Sequence, residues 1–305
     1  MNTTVLIAGG TGLIGSRLSL LLTEKGYNVL HLSRKKNLHA EYPAYAWDLD
    51  QMTIDEEAIM RSDVVINLAG AGIADKPWTQ ERKQLIIDSR VKSNRLLLES
   101  FDRLGNKPDV FLPASAIGYY GDSGEQWVDE NSEHGDGFLS KSVQIWEQPI
   151  LEAISSRDIR TVAIRIGLVL SAQGGALPKM LLPLRFFLGT YFGNGNQWYS
   201  WIHIDDLCNM FIWAIENKEL KGIYNGVAPT PERNKAFIRS LGKARGWPFL
   251  LLPAPAFGLR LFLGEMAQAV LISTKVSAEK IKKSGFPFKF VDLGEAVKDL
   301  LKKEI

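Results

Sequence analysis

Four glycines crowd into the seven residues 9-GGTGLIG-15. The spacing Gly10-x-Gly12-x-x-Gly15 is overlapped by Gly9-x-x-Gly12-x-x-Gly15, and both lie between an apolar run and a run with helical periodicity. A backbone without side chains can turn tightly there, and its N–H groups can approach a pyrophosphate that also feels the positive end of the helix dipole. Gly9, Thr11, Gly12, Leu13, Ile14 and Gly15 are therefore the expected cradle of a dinucleotide, with a purely structural glycine turn as the alternative. The next apolar run ends 32-LSRKK-36. A carboxylate usually stands here in NAD enzymes to hold the ribose 2′-hydroxyl, whereas Ser33, Arg34 and two lysines suit a 2′-phosphate, so NADP (NADPH) is expected over NAD. A solvated basic turn is the bland alternative. Asp48 fits either an adenine-side contact or a turn. Leu68, Ala69 and Gly70 close the third apolar run, where small residues let adenosine and ribose lie against the backbone. Arg90 lies on the helix beyond. Its planar guanidinium suits a diphosphate or a carboxylate, and equally a surface ion pair.

Elements that could position these residues follow from periodicity. Runs at 5–9, 28–34, 63–70, 109–116 and 161–170 read as strands buried on both faces, and 15–26 and 79–105 carry apolar residues at helical spacing. The alternation predicts an α/β fold, a doubly wound parallel sheet of Rossmann type with a smaller C-terminal lobe. A nucleotide-binding domain is expected over 1–225, with 171–198 contributing to the substrate lobe, and a C-terminal substrate or cap domain over 226–305. Beyond about residue 225 little reads as another parallel strand. The 305 residues are 46% hydrophobic and 23% charged, with 36 basic against 34 acidic residues and a net charge of +2. That balance predicts no strong field toward nucleic acid or an anionic membrane. One cysteine, Cys208, excludes an intrachain disulfide and fits a reducing cytoplasm. The first residues, MNTTVLIAGG, carry no signal-peptide pattern, and the apolar stretch 249–272 is interrupted by Pro253, Pro255, Arg260 and Glu265, so no membrane span is expected.

With GGTGLIG, 67-NLAG-70, 115-SAIGYYG-121 and 203-HIDD-206 in order, the chain resembles an extended short-chain dehydrogenase/reductase. More narrowly, 78-WTQERKQLIIDSRVKSN-94, 146-WE-147, 200-SWIHIDDL-207, 224-YNGVAP-229 and 284-SGFPFKF-290 resemble the epimerase-like family of YfcH-type and SDR39U1-type proteins, over essentially the whole length, including its family-specific C-terminal domain. The resemblance implies that Ser115 is the active serine, that Val169 lies where the backbone passes the nicotinamide, and that Arg90 touches the cofactor. It also implies a Tyr-x-x-x-Lys pair that passes a proton while hydride moves. That pair is missing here. If Lys141 were the lysine, the tyrosine position would be Gly137; if Glu147 sets the match, the two positions are Leu139 and Val143.

Three explanations stay open. Tyr119 or Tyr120 acts as acid/base from a strand end, the substrate needs little proton transfer, or the nucleotide serves sensing or structure. Both tyrosine hydroxyls buried against protein groups would count against the first. Four histidines without ligand spacing and one cysteine make a metal unexpected, and His203, Asp205 and Asp206 read as structural hydrogen-bonding groups. The expected function is an NADP-dependent oxidoreductase or epimerase-like enzyme acting by hydride transfer on a small carbonyl, hydroxyl or sugar-nucleotide-like substrate. The rival is a non-catalytic NADP-binding sensor or scaffold that presents an apolar patch around residues 257–271 to a protein partner. Oligomeric state is not legible.

Overall fold

Both faces of the first strand are apolar because both are covered. In β1 (Thr4–Ala8), Val5 and Ile7 enter one core layer and Leu6 and Ala8 the other, all four fully buried. The structure, a computed structural model, describes residues 3–246 and 248–302. Around β1 lie β2 (Asn28–Ser33), β3 (Ala44–Asp48), β4 (Thr53–Ile54), β5 (Val64–Asn67), β6 (Val110–Ala116), β7 (Val162–Ile166) and β8 (Gly222–Gly226). They form one sheet in the order β8-β7-β6-β5-β1-β2-β3-β4, parallel throughout except for β4, which runs antiparallel to β3. β1 pairs with β2 on one side and β5 on the other, so the order reverses there, the place where such sheets open a crevice at their carboxyl edge.

One face carries α1 (Leu13–Glu24) and α5 (Ile204–Glu216), whose Leu18, Leu22, Leu207 and Phe211 share a core. The other carries α2 (Gln80–Leu104) and α3 (Gly137–Ser156), through Leu97, Phe101 and Ala153. Thr79 caps α2 by accepting from the Arg82 N–H, and Gly105 ends it at φ +63°. These are the doubly wound layers that the alternation of runs predicted.

Three local expectations change. The apolar run 161–170 is two strands rather than one. A Cβ on Gly167 would stand 2.5 Å from the Ser200 carbonyl oxygen, and at this close approach the chain leaves the main sheet for a small one, where 168–171 pairs in parallel with 201–203. Residues 222–226, GIYNG, are not among the apolar runs, yet they form β8, the parallel edge strand beside β7. Beyond 225 a further parallel pairing exists, residues 250–254 against 188–192. The C-terminal lobe also includes α4 (Ala176–Leu184), α6 (Asn234–Arg245), α7 (Ala256–Leu263) and α8 (Leu293–Lys302). Phe286, Phe290, Leu293 and Val297 belong to the same core as α1 and α5, so this lobe closes over the sheet without a separate interior. Asp206 fastens it: its carboxylate accepts from the Lys289 and Phe290 N–H groups at 3.0 and 2.9 Å. Beside it, His203 stacks on Phe290 and accepts from the Asp205 N–H through Nδ1. Among the described residues no helix is long and apolar enough to cross a membrane.

Candidate functional site: the carboxyl edge of the sheet

The glycine turn is bare for steric reasons that can be read atom by atom. Gly9 sits at φ +80°, and a Cβ there would stand 2.9 Å from the Leu68 backbone. A Cβ on Gly10 would lie 2.4 Å from the His31 ring, and one on Gly15 would lie 2.3 Å from the Gly9 carbonyl oxygen. The Gly12 N–H bonds back to that oxygen at 3.0 Å. α1 then starts at Leu13 with Gly12 as N-cap and no side chain capping it, so its first N–H groups and dipole end face the crevice. Thr11 and Gly12 are exposed, Leu13 and Ile14 half-buried and Gly15 buried. A Cβ on Gly174 or Gly175 would meet the Leu13 side chain at 3.4 or 3.3 Å, so this hairpin lies beside the start of the helix.

To one side of the turn, β2 delivers Ser33 and Arg34. Arg34 is exposed and has no carboxylate partner among the described residues, whereas Lys36 is paired with Asp55. Arg34, Trp47, Asp48, Leu49 and Lys92 border a cavity of about 470 Å³. Asp48 is a turn residue, accepting from the Asp50 and Gln51 N–H groups, which lower its pKa.

The end of β5 is tied down from α2. Asn67 is buried, donates to Ser93 and Asn94, and accepts from the Ala69 N–H. Arg90 donates to the Ala71 and Ile86 carbonyl oxygens, both at 3.0 Å, and its guanidinium lies 4.5 Å from the centre of the Trp146 ring. The alternative of a surface ion pair is thereby corrected: among the described residues Arg90 has no carboxylate partner, and burial, with Arg82 nearby, pulls its pKa down to about 10. A Cβ on Gly70 would strike this guanidinium at 2.6 Å. Leu68 and Ala69 stand against the glycine turn, so the two loops face each other.

On the other side, β6 and β7 bring a buried polar cluster together. Ser115 donates to Glu147 on α3, four residues beyond Val143, where the register set by Glu147 would put the lysine of the superfamily pattern. Glu147 forms a two-pronged ion pair with Arg165 of β7, at 2.9 and 2.8 Å, with both side chains almost wholly buried. Burial alone would lower the Arg165 pKa, but Glu147 outweighs it and the net shift is upward. Arg165 also donates to the Tyr120 hydroxyl at 3.1 Å, which in turn donates to Asn225 of β8 at 2.7 Å. Burial pushes Tyr120 up to about 12. Its hydroxyl is thus engaged on both sides, 3% exposed, and joined to the interior rather than to the crevice. The ring of Tyr119 covers the same guanidinium at 3.5 Å. Of these partners, Glu147 and Asn225 are visible in sequence only as letters of the motifs 146-WE-147 and 224-YNGVAP-229, and Arg165 only within an apolar run; Glu130, which accepts from the Asn225 N–H, carries no signal. Trp78 packs under Phe138 and donates to the Ile73 carbonyl, inside a small apolar cluster.

Directly beyond β6 and β7 opens a cavity of about 240 Å³. Its walls are chiefly Ile117, Leu139, Ile166, Leu168, Met180 and Ile272. The polar side chains around it are committed elsewhere: Thr274 donates to the Gly121 carbonyl, Ser200 to the Thr274 carbonyl and Tyr199 to the Val270 carbonyl. Val169 lies one residue past this wall, in the strand paired with 201–203. From Arg34 at β2 to this cavity at β7 is four strand spacings, roughly 19 Å, with the glycine turn between them. Among the described residues no group of three His, Cys, Asp or Glu could hold a metal ion.

Comparison with known proteins matches residues 5–225 to the NAD dependent epimerase/dehydratase family and residues 254–300 to a domain of unknown function, DUF1731. An epimerase family protein of Staphylococcus saprophyticus is 37% identical over 97% of this chain and 98% of its own length. The chloroplastic SDR39U1 homolog of Arabidopsis thaliana is 37% identical over 98% of this chain and 86% of its own. The crystal structure of human epimerase family protein SDR39U1 (isoform 2) with NADPH superposes with a TM-score of 0.88 at 30% identity, over 98% of this chain and 99% of that one.

Proposed function

The chain belongs to the NAD dependent epimerase/dehydratase family, and from that premise we propose that it is an NADPH-binding reductase acting by hydride transfer on a small, largely apolar carbonyl or conjugated acceptor. The observation that carries this reading is the succession along one sheet edge of an unpaired Arg34, a glycine turn that any Cβ would fill, and an apolar cavity. The NADPH-bound human relative supports the choice of nucleotide. In the reading, Gly9, Thr11, Gly12, Leu13, Ile14 and Gly15 hold the pyrophosphate, Ser33 and Arg34 the 2′-phosphate, Leu68, Ala69 and Gly70 the adenosine side, and Arg90 keeps that loop in place. Val169 and Leu168 form the wall of the nicotinamide half. Bound there, NADPH supplies a hydride.

The apolar cavity excludes water around the acceptor and offers no free side-chain hydrogen-bond donor, which favours an apolar carbonyl over a sugar nucleotide, whose hydroxyls would be left unpaired. Ser115 acts through Glu147 as a positioning residue. Tyr119 shields the buried ion pair, and Tyr120 braces β7 against β8. Among the described residues around the cavity the one titratable side chain, Tyr199, commits its hydroxyl to the Val270 carbonyl, so the acceptor is one whose anion is stabilised within itself and takes its proton from water. The committed hydroxyl of Tyr120 also favours a second reading, a non-catalytic NADPH-dependent sensor.

The deciding experiment is an equilibrium titration of nucleotide-stripped protein with NADPH and NADH, followed by NADPH oxidation with quinones, conjugated aldehydes and UDP-sugars. Tight NADPH binding with turnover of the apolar acceptors is expected. NADPH binding without turnover of any acceptor would select the sensor, and failure to bind either nucleotide would remove both readings.

A further inference from the structure

α7 has no buried residue. Phe257, Leu261 and Phe262 on it are 76%, 80% and 88% exposed. At the far end of the 188–192/250–254 ribbon, Phe186, Phe187 and Leu250 are exposed as well. Phe187 is held at φ +61°, a left-handed backbone that a bulky residue rarely adopts, at the turn between α4 and the ribbon. An apolar display of this size is unusual for a surface without a partner.

Charge narrows the choice of partner. Two segments of this lobe, 171–200 and 233–264, hold eight Lys or Arg residues and no Asp or Glu, with Glu232 and Glu265 bordering the second. That leaves 28 of the 36 basic residues against all 34 acidic ones in the rest of the chain, so the net charge of +2 conceals a basic lobe on an acidic body. Lys179, Arg185, Arg239, Lys243 and Arg260 are exposed and have no carboxylate partner among the described residues. Arg233 is paired with Glu125. A contact between two copies through this face would set like charge against like.

We propose that this face docks peripherally on an anionic lipid bilayer, the phenylalanine and leucine side chains entering the boundary between headgroups and acyl chains and the Lys and Arg side chains meeting the phosphates. Arg260 lies on α7 among its exposed apolar residues and Arg185 immediately precedes Phe186 and Phe187; apolar side chains beside basic ones are the composition of interfacial binding, and each basic residue near such a surface adds to the attraction. The docking is independent of the nucleotide reading, because the face is remote in sequence from the glycine turn and shares no residue with it.

The test is co-sedimentation of the full-length protein with vesicles of phosphatidylcholine alone or mixed equally with phosphatidylglycerol. Binding is expected to the mixed vesicles only, with partitioning weakened by salt of roughly 1 M, where screening shortens to a few ångströms. Arg185→Gln with Arg260→Gln should lower partitioning by about tenfold or more. Phe257→Glu with Phe262→Glu should abolish it while leaving the melting temperature and NADPH binding unchanged, since both side chains are exposed. Absence of binding to the mixed vesicles, equal binding to the neutral ones, or undiminished binding by the phenylalanine variant would overturn the proposal. So would a dimer of the wild type, seen by light scattering, that the phenylalanine variant dissolves.

Discussion

At Gly10 the loss of one hydrogen's worth of space decides whether the nucleotide turn can close. A methyl group there would strike the His31 ring at 2.4 Å, and that ring is pinned by the Ser19 hydroxyl at 2.8 Å. Overpacking of this kind costs about 1–3 kcal/mol, so Gly10→Ala is expected to weaken NADPH binding by roughly 10- to 100-fold, read by fluorescence titration. His31 itself makes stability depend on pH. Burial pushes it from 6.5 down to about 4. Between those values the unfolded chain binds a proton that the folded chain does not, so the contribution is complete above about pH 6.5 and is lost as pH falls toward 4. Its size is on the order of 3 kcal/mol. Urea denaturation at pH 7 and pH 4.5 should differ accordingly, and His31→Gln should flatten the difference; an unchanged slope in that variant would refute the assignment. Glu147→Gln leaves Arg165 buried without its counter-charge and is expected to cost about 3–5 kcal/mol in the same assay. A loss under 1 kcal/mol would mean that the pair is relieved by water.

Helices and strands act here mainly by where they stop. β1, β2, β5, β6 and β7 all end at one edge, so every loop that the motifs occupy converges there. That convergence was legible, because buried parallel strands read as unbroken apolar runs and the glycine turn marks the first crossover. The break at Gly167 was not, because nothing in 161-TVAIRIGLVL-170 announces that the Ser200 carbonyl approaches from another part of the chain. The anchoring of the lobe by Asp206 is a property of the start of α5. Burial raises its pKa against the pull of the two backbone N–H groups it accepts. Asp206→Ala strands both donors, each at about 1–3 kcal/mol. It should therefore free residues 284–302 for faster amide exchange before the central sheet exchanges. Simultaneous exchange of lobe and sheet would show that the lobe has no stability of its own to lose.

Over the whole molecule, nucleotide binding and folding are linked, since the turn, the Leu68–Gly70 loop and the hairpin at 174–175 come from separate stretches of chain. NADPH at 100 times its Kd should stabilise the protein by about 2.7 kcal/mol. A clear rise in melting temperature is expected, larger than with NADH at equal concentration; equal shifts would remove the role given to Arg34. By itself, the sequence determined the α/β class, the glycine turn with its nucleotide chemistry, the basic end of β2 and the missing Tyr-x-x-x-Lys pair. Each of these is written in neighbouring residues, through local periodicity, backbone freedom or motif spacing. Tertiary structure alone decided what surrounds Ser115. Ser115 and Tyr120, Glu147, Arg165 and Asn225 come from four separated stretches, and their distances depend on strand order rather than on spacing. It decided likewise that the cavity beyond them is apolar, because whether Thr274, Ser200 and Tyr199 can serve a ligand depends on which backbone carbonyls reach them first. And it gathered into one lobe the charges that, summed along the chain, cancel to almost nothing.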